Sequence, residues 1–210
     1  TAYFAQQGLP TRIERADQRS SVVLERLGIP FRAERDEKND DYVYLAQELG
    51  TLHGRKFDGK RNHINRLLSK HTVEYLPLTC DKIPIADGVI TEWFSRRNEM
   101  GAPEYYACHQ LLEYFEVLDC TGAFLLVDDI PAAVTFGEML GGDTAVIHFE
   151  KAVLFEDGAY PAINHNFVQH QYGHVTFINR EQDLGLSGLR KSKQSWHPIR
   201  TVKKYTLYLN

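Results

Sequence analysis

Cysteine is scarce in this chain: its 210 residues include three, Cys80, Cys108 and Cys120, odd in number, far apart and in no metal-ligand spacing. That argues against a disulfide framework and fits a reducing compartment, with the three read as small core residues. Long apolar runs are missing as well. The longest uncharged apolar stretch, around Gly122 to Val127, falls far short of the roughly 20 residues a membrane-spanning helix needs, and no signal-peptide pattern heads the chain. A soluble, cytoplasmic protein with no integral membrane span is therefore expected. Acidic residues are absent from one whole segment. From Leu184 to Asn210 there is no Asp or Glu against six Lys and Arg, so the formal net charge of −4 leaves −10 for the remainder.

A second basic run, from Gly54 to Lys70, sets Arg55, Lys56, Lys60, Arg61, Arg66 and Lys70 against Asp58 alone. Segregated positive charge of this kind fits either a polyanion partner such as phosphate or RNA, or solvated helix faces. At 43% hydrophobic and 25% charged residues, the composition is that of a globular chain long enough for one large domain or two small ones.

Periodicity supplies the elements. The chain opens at Thr1 rather than Met and its first residues read as the middle of a unit, so a truncated or processed N-terminus is expected. Asp17 caps a helix running to Leu27, with Val22, Val23 and Leu27 on one face and Gly28-Ile29-Pro30 as its stop. Extended stretches follow at Phe31 and at Tyr42 to Leu45, around a polar turn. The basic helix carries Ile64, Leu67 and Leu68 at helical spacing and leads into a strand from Thr72 to Leu78. A helix starting on Pro84 places Ile90 and Phe94 on one face; the next, "APEYYACHQLLEYFEVL", turns Leu111, Leu112, Phe115 and Leu118 inward.

The period then changes. "GAFLLVDD", "PAAVTFGEML" and "TAVIHFEKAV" read as an antiparallel meander with turns at Asp128-Asp129 and Gly141-Gly142-Asp143. A short helix "AYPAINHNFVQHQYG", a strand "HVTFINRE", a helix "LSGLRKSKQSW" and a closing strand "TVKKYTLYL" complete the order. Strand, polar turn, basic helix and strand thus occur twice, at Phe31 to Leu78 and at His174 to Leu209. Two copies of one architecture account for this, with a boundary near Cys80-Asp81-Lys82: residues 1–80 as the C-terminal part of a first half, 81–210 as a complete second half.

The order from the two helices onward is that of the GNAT acyltransferase fold. "GRKFDGKRNHINRLL", "AVIHFEKA", "GAYPAINHNF" and "INREQDLGLSGLRKSKQSWHP", in that sequence, closely resemble the phosphatidylglycerol lysyltransferase C-terminal domain family, which is similar to the Fem-type aminoacyl transferases. The resemblance covers roughly Asp40 to Leu209. It implies an α+β fold, a mainly antiparallel sheet with flanking helices in tandem GNAT-like halves, the first truncated here. It also implies transfer of an aminoacyl group from aminoacyl-tRNA to an amine or hydroxyl of a lipid, peptide or small molecule, with tRNA as a partner and no tightly bound cofactor.

A GNAT enzyme that uses acyl-CoA holds the pyrophosphate in a loop of the form [QR]-x-x-G-x-[GA] at a helix N-terminus. The corresponding segment, Lys151 to Asn164, lacks it and presents Glu156 and Asp157 instead; the near match "QDLGLSG", Gln182 to Gly188, lies one strand later. Acyl-CoA is therefore the second choice of donor, and a non-catalytic binding module of the same fold is a third reading.

Aminoacyl transfer needs an aligned amine, a proton acceptor, oxyanion stabilisation and help for the leaving hydroxyl, so carboxylates and cations should converge. Glu150 ends the strand "AVIHFE", where it binds an ammonium, serves as general base, or forms a strand-end salt bridge to Lys151 or Arg180. Arg180 and Asp183 leave the next strand where the fourth and fifth strands of this fold splay apart; Asp183 alternatively caps the following helix. Lys193, on the face of Arg190, offers charge for a phosphate or a leaving 3′-oxygen, and Lys203 and Lys204 alternate across the last strand. With Pro161 near a first helical position, Tyr160 sits at the cleft mouth as an acid or hydrogen-bond donor, one turn before Asn164; a buried, satisfied tyrosine and amide is the alternative reading of the two.

Glu150, Tyr160, Arg180, Asp183 and Lys193 are thus the catalytic candidates; Asn164, Asn166, Asn179, Gln182, Gly188, Arg190 and Lys204 are the substrate-binding ones. Lys60, Arg61 and Asn62 match the family's "KRN" and either bind RNA phosphate or tie the halves together. No metal site is expected: His165, His170 and His174 lack a carboxylate partner and an HExxH pattern, and Cys108 and His109 face different sides of one helix.

Overall fold

The apolar runs between Cys120 and Ala152 fold as three consecutive antiparallel strands. The computed structural model of the chain describes residues 2–153 and 156–209, without the side chains of Ala2, Ala5, Glu156 and Asp157. In order the elements are α1 (Ala2–Gln6), β1 (Arg12–Ala16), α2 (Gln18–Arg26), β2 (Phe31–Arg35), β3 (Asp41–Leu45), α3 (Ala46–Thr51), α4 (Asp58–Leu68), β4 (Val73–Pro77) and α5 (Ile83–Arg96). They continue as α6 (Pro103–Glu113), β5 (Cys120–Val127), β6 (Ile130–Met139), β7 (Thr144–Ala152), α7 (Glu156–Gln171), β8 (Phe177–Asn179), α8 (Ser187–Gln194), β9 (Arg200–Val202) and β10 (Tyr205–Leu209). The chain divides into two compact units, residues 44–179 and residues 1–43 with 180–210.

In the 44–179 unit the strand order is β4-β5-β6-β7-β8. All pairs are antiparallel except β7 with β8. Asp128 and Asp129 take φ of 52° and 63°, the two-residue hairpin turn whose twist suits the flanking strands. Asp128 also accepts from Thr72 N at 2.9 Å, fixing the entry to β4. Successive strand residues point to opposite faces. Phe124, Val134 and Phe136 therefore share one face and pack on Ile90 and Phe94 of α5 and Cys108 and Leu112 of α6. Pro84 and Pro103 stand in the first turns of those helices, where a missing N–H costs nothing.

The opposite face carries α7, against which α3 and α4 pack. Ala159, Ala162, Ile163, Phe167 and Val168 of α7 are all buried. Gly158 lets α4 approach: a Cβ there would lie 2.7 Å from Leu67 Cβ and 3.0 Å from His63 O. Gly158→Ala is expected to destabilise by about 1–3 kcal/mol through overpacking. Gly59→Ala on α4, where an added Cβ meets nothing within 4 Å, is expected to stabilise by roughly 0.5–1 kcal/mol. Urea midpoints of the two variants check the contrast.

Three local readings of this unit change. Pro161 lies inside α7 rather than near its start, because the helix begins at Glu156. The α6 helix stops at Glu113, so Phe115 is buried from a turn beyond it and Leu118 is 43% exposed rather than inward. On α4, Ile64 and Leu67 are buried and Leu68 is exposed.

In the other unit β10 runs between β1 and β2, antiparallel to both, and β3 pairs antiparallel with β9. Asp17 caps α2 by accepting from Ser20 N at 3.1 Å, as its position just before the helix requires. The buried residue of α2 is Leu24, against Ala16 and Leu207. Val22, Val23 and Leu27 are exposed, because the face of α2 that packs on Ala16 and Leu207 is the one carrying Leu24. The closing strand is broken: Lys203 and Lys204 lie between β9 and β10 and do not alternate across a strand. Among the described residues no helix is long and apolar enough to cross a membrane.

Candidate active site

The site in the 44–179 unit is built where β7 outruns its neighbour. Parallel pairing of β7 with β8 ends at Val146 opposite Asn179, and β7 continues along β6 to Ala152. The register between β6 and β7 shifts at Phe136/Gly137, with His148 as the extra residue. Such a bulge re-aims the residues that follow it. Glu150 consequently faces α7, while Phe149 joins the α5–α6 core.

Asn164 of α7 donates from Nδ2 to Glu150 Oε1 at 2.7 Å. Asn164 is fully buried, and its Oδ1 has no hydrogen-bond partner among the described residues. The carboxylate fixes the amide's orientation, because only the NH₂ end can donate to it. A half-buried carboxylate and an unsatisfied carbonyl oxygen thus stand together, two acceptors with a net negative charge. That is a set suited to a cation with N–H donors.

One residue further, Lys151 points to the opposite face. It is 4% exposed. Its Nζ donates to Glu104 Oε1 at 2.8 Å and lies 3.8 Å from the centroid of the Trp93 ring. The expected Glu150–Lys151 bridge is therefore excluded by strand alternation. Trp93 Nε1 in turn donates to Tyr160 Oη at 2.7 Å. A phenol that accepts keeps its own proton to give, so Lys151, Glu104 and Trp93 position Tyr160 as a donor one turn before Asn164. Sequence reasoning offered Lys151 as a bridge partner of Glu150 and passed over Trp93 and Glu104, which no local signal marks.

Of the other candidates of this unit, Asn166 and Arg61 are held by local partners. Asn166 donates to Ala162 O at 2.8 Å and, with Arg61, Asn65, Tyr75 and His165, borders a cavity of about 340 Å³. Arg61 is drawn into its own loop, donating to Gly54 O at 2.9 Å and also to Leu52 O and Asp58. Lys60 is half-buried and Asn62 exposed on α4, and Asn179 is buried at the end of β8. His165 faces Leu49 O at 3.0 Å, His170 stacks on Tyr75, and His174 is exposed.

The cysteines differ. Cys80 is exposed, contrary to a core reading, and Cys120 is half-buried. Cys108 is buried, and burial pushes its thiol up to about 12, which removes it as a nucleophile at neutral pH. Leu154 and Phe155, within the segment compared with a pyrophosphate loop, lie outside the described residues, as do the side chains of Glu156 and Asp157.

In the other unit the loop after β8 is organised by Asp183, which is 2% exposed. Its carboxylate accepts from Tyr42 Oη at 2.8 Å, Gly185 N at 2.7 Å and Arg190 Nε at 2.6 Å. The Arg190 guanidinium, first, and the bonds from Tyr42 and Gly185 outweigh burial and hold the carboxyl at about 2. Asp183 does not cap α8: the N-cap residue is Leu186, and no side chain caps the helix. Its carboxylate instead takes the Gly185 N–H that an incoming phosphate would need in "QDLGLSG". Gly185 itself adopts φ +77°, which its lack of a Cβ makes easy.

Lys193 is buried and donates to Arg180 O, while the Arg180 guanidinium lies 4.9 Å from the Trp196 ring centroid. Lys204 pairs with Asp41 at 2.9 Å. Gln182 is half-buried, and Gly188 sits exposed in the first turn of α8.

Comparison with known proteins places this geometry in a family. The family described as phosphatidylglycerol lysyltransferase, C-terminal, matches residues 1–208. A conserved protein of unknown function from Bacteroides thetaiotaomicron is 33% identical with a TM-score of 0.89, over 100% of this chain and 73% of that one. L-PGS from Bacillus licheniformis is 16% identical with a TM-score of 0.67, over 99% and 70% of the two chains. FemX is 10% identical with a TM-score of 0.64, over 96% and 72%. No curated protein matches. The mixed α+β architecture with mainly antiparallel sheets is the fold of GNAT-like and Fem-type acyltransferases, as the sequence motifs imply. The chain belongs to the family of the phosphatidylglycerol lysyltransferase C-terminal domain.

Proposed function

We propose that the chain is an aminoacyltransferase that moves an aminoacyl group from aminoacyl-tRNA to an amine or hydroxyl on a lipid, peptide or small molecule. Family membership supports acyl or aminoacyl transfer, and the Glu150–Asn164 pair carries the choice of an aminoacyl donor. An aminoacyl group differs from an acetyl group by its ammonium, and a carboxylate beside a buried, unsatisfied carbonyl oxygen is a receptor for that group. In this reading Glu150 and Asn164 hold the α-ammonium and fix the ester for attack. The acceptor nitrogen or oxygen forms the new bond to the carbonyl carbon, the bond to the tRNA 3′-oxygen breaks, and the acceptor's proton ends on that oxygen. Tyr160, positioned by Trp93, donates a hydrogen bond to the oxygen that gains negative charge.

Lys60 and Asn62 on the basic α4, and the exposed Lys191 of α8, are the proposed contacts for RNA phosphates. Asp183, Arg190 and Lys204 are proposed to shape their own unit rather than to exchange protons. Tandem GNAT-like halves, residues 1–80 and 81–210, remain the proposed ancestry; the compact units follow packing instead.

The test is a transfer assay with the purified chain, a mixed pool of radiolabelled aminoacyl-tRNA in one arm and labelled acyl-CoA in the other. Label reaching a lipid, peptide or amine acceptor from the tRNA arm alone is expected. Transfer from acyl-CoA alone would contradict the proposal.

A further inference from the structure

Three strands bring together side chains that the sequence keeps far apart. We propose that Cys120, Glu138 and His148 form a binding site for a zinc-class divalent cation, with a fourth coordination position open to solvent. Cys120 and Glu138 stand directly opposite each other in the β5–β6 register. The bulge in β7 inserts His148 beside them. His148 Nε2 lies 3.1 Å from Glu138 Oε1, Cys120 Sγ lies 3.9 Å from Glu138 Oε2, and one donor atom from each residue falls within 4.8 Å of the others.

A tetrahedral zinc ion with bonds of about 2.0–2.3 Å separates its ligand atoms by roughly 3.3–3.7 Å. The observed separations bracket that range, so small side-chain rotations bring the three atoms onto one ion. The donor set is one sulfur, one imidazole nitrogen and one carboxylate oxygen. It selects zinc and its neighbours in the first transition row over magnesium or calcium, which require oxygen ligands alone. All three side chains are half-buried, with His148 27% and Glu138 39% exposed, so an ion has access while the strands hold the ligands.

The site lies apart from the Glu150–Asn164 pair in bonding terms. Glu150 faces α7, whereas Cys120 and Phe149 pack toward the α5–α6 core. A bound ion would cross-link β5, β6 and β7 through side chains, stabilising the chain by mass action. The competing account is a simple His148–Glu138 hydrogen bond beside a thiol, which has no need of an ion and does not respond to one.

Cobalt(II) distinguishes the two, because a thiolate ligand gives a sulfur-to-cobalt charge-transfer band in the near ultraviolet. The probe is Co²⁺ titrated into the Cys80→Ser chain, which removes the exposed thiol, followed by competition with Zn²⁺. A charge-transfer band saturating at one equivalent and bleached by Zn²⁺ is expected. Glu138→Gln and His148→Ala should each weaken Zn²⁺ binding by about tenfold or more, since even outer-shell partners of a metal site contribute 10–100-fold. Cys120→Ser should abolish the band and Cys108→Ser should leave it intact, with far-ultraviolet circular dichroism reporting that each variant is folded. No band at stoichiometric Co²⁺, or a band that persists in folded Cys120→Ser, would overturn the site.

Discussion

Replacing Glu150 with Gln is expected to lower kcat/KM for aminoacyl transfer by about 10²–10³-fold. Removing one charge from a buried, hydrogen-bonded ion contact costs about 2–5 kcal/mol, and in the proposed reading the contact is made by the reacting group. The substitution keeps the shape of the side chain and an oxygen able to accept from Asn164 Nδ2, so the 2.7 Å bond can persist and the fold should be unaffected. What is lost is the negative charge facing the ammonium. If the ammonium contact forms on binding and is kept through the reaction, KM rises more than kcat falls. Asn164→Asp supplies the complementary test: it adds a second carboxylate next to Glu150, raises the proton affinity of the pair and should shift the pH profile upward. Steady-state transfer rates across pH for the three proteins separate charge from packing. An unchanged kcat/KM in Glu150→Gln would remove Glu150 from the site.

The second large effect concerns stability rather than rate. Asp183→Ala is expected to destabilise the chain by about 3–5 kcal/mol, the usual consequence of breaking a buried charge pair by deleting one partner. The carboxylate is 2% exposed and is held by Tyr42, Gly185 and Arg190. Its loss strands the Tyr42 hydroxyl and leaves a loop with Leu184 and Gly185 at positive φ without its central anchor. Arg190 is 46% exposed and can turn to water, which holds the cost toward the lower end.

The pH dependence has a definite sign. The folded pKa of Asp183 is lowered to about 2 from an unfolded value near 3.9. Its ionised form therefore contributes about 2–3 kcal/mol that is fully present above pH 5, diminishes below the unfolded pKa and is gone once pH falls through 2. Urea midpoints of the native chain and Asp183→Ala should converge as pH is lowered from 5 toward 2. A gap that stays constant over that range would show that packing, not charge, makes Asp183 important.

Much of the fold is legible in the sequence because it follows from local chemistry. Asp17 before α2, Pro84 in a first turn, the Asp128-Asp129 hairpin and the apolar runs of β5 and β6 each have a cause within a few residues, and each is found where expected. What escapes is long-range. Nothing near His148 announces a bulge, since the extra residue is defined only against Phe136 and Gly137 on β6. Counting alternation straight through puts His148 and Glu150 on one face, and the bulge separates them.

Pro161 misleads for a related reason. In isolation it argues for a helix start, but α7 is buried on nearly all sides, and packing outweighs the loss of one backbone hydrogen bond. Of the site residues, Glu150 is visible as a charge in an apolar strand, and Asn164 and Tyr160 through the family motif. Trp93, Lys151 and Glu104 come from α5, β7 and α6, and only tertiary structure assembles them.

The ammonium receptor at Glu150 and Asn164 is tested most directly by binding, without any need to know the acceptor. A non-hydrolysable 3′-aminoacyl-adenosine analogue, with an amide in place of the ester, would be titrated calorimetrically into the native chain in two forms: α-amino group free or N-acetylated. Acetylation removes the positive charge and leaves the rest of the ligand in place. Binding of the free amine at least about tenfold tighter than the acetylated form is expected for a desolvated charge contact, with the preference abolished in Glu150→Gln. Equal affinity of the two forms for the native chain, or a preference that survives Glu150→Gln, would contradict it.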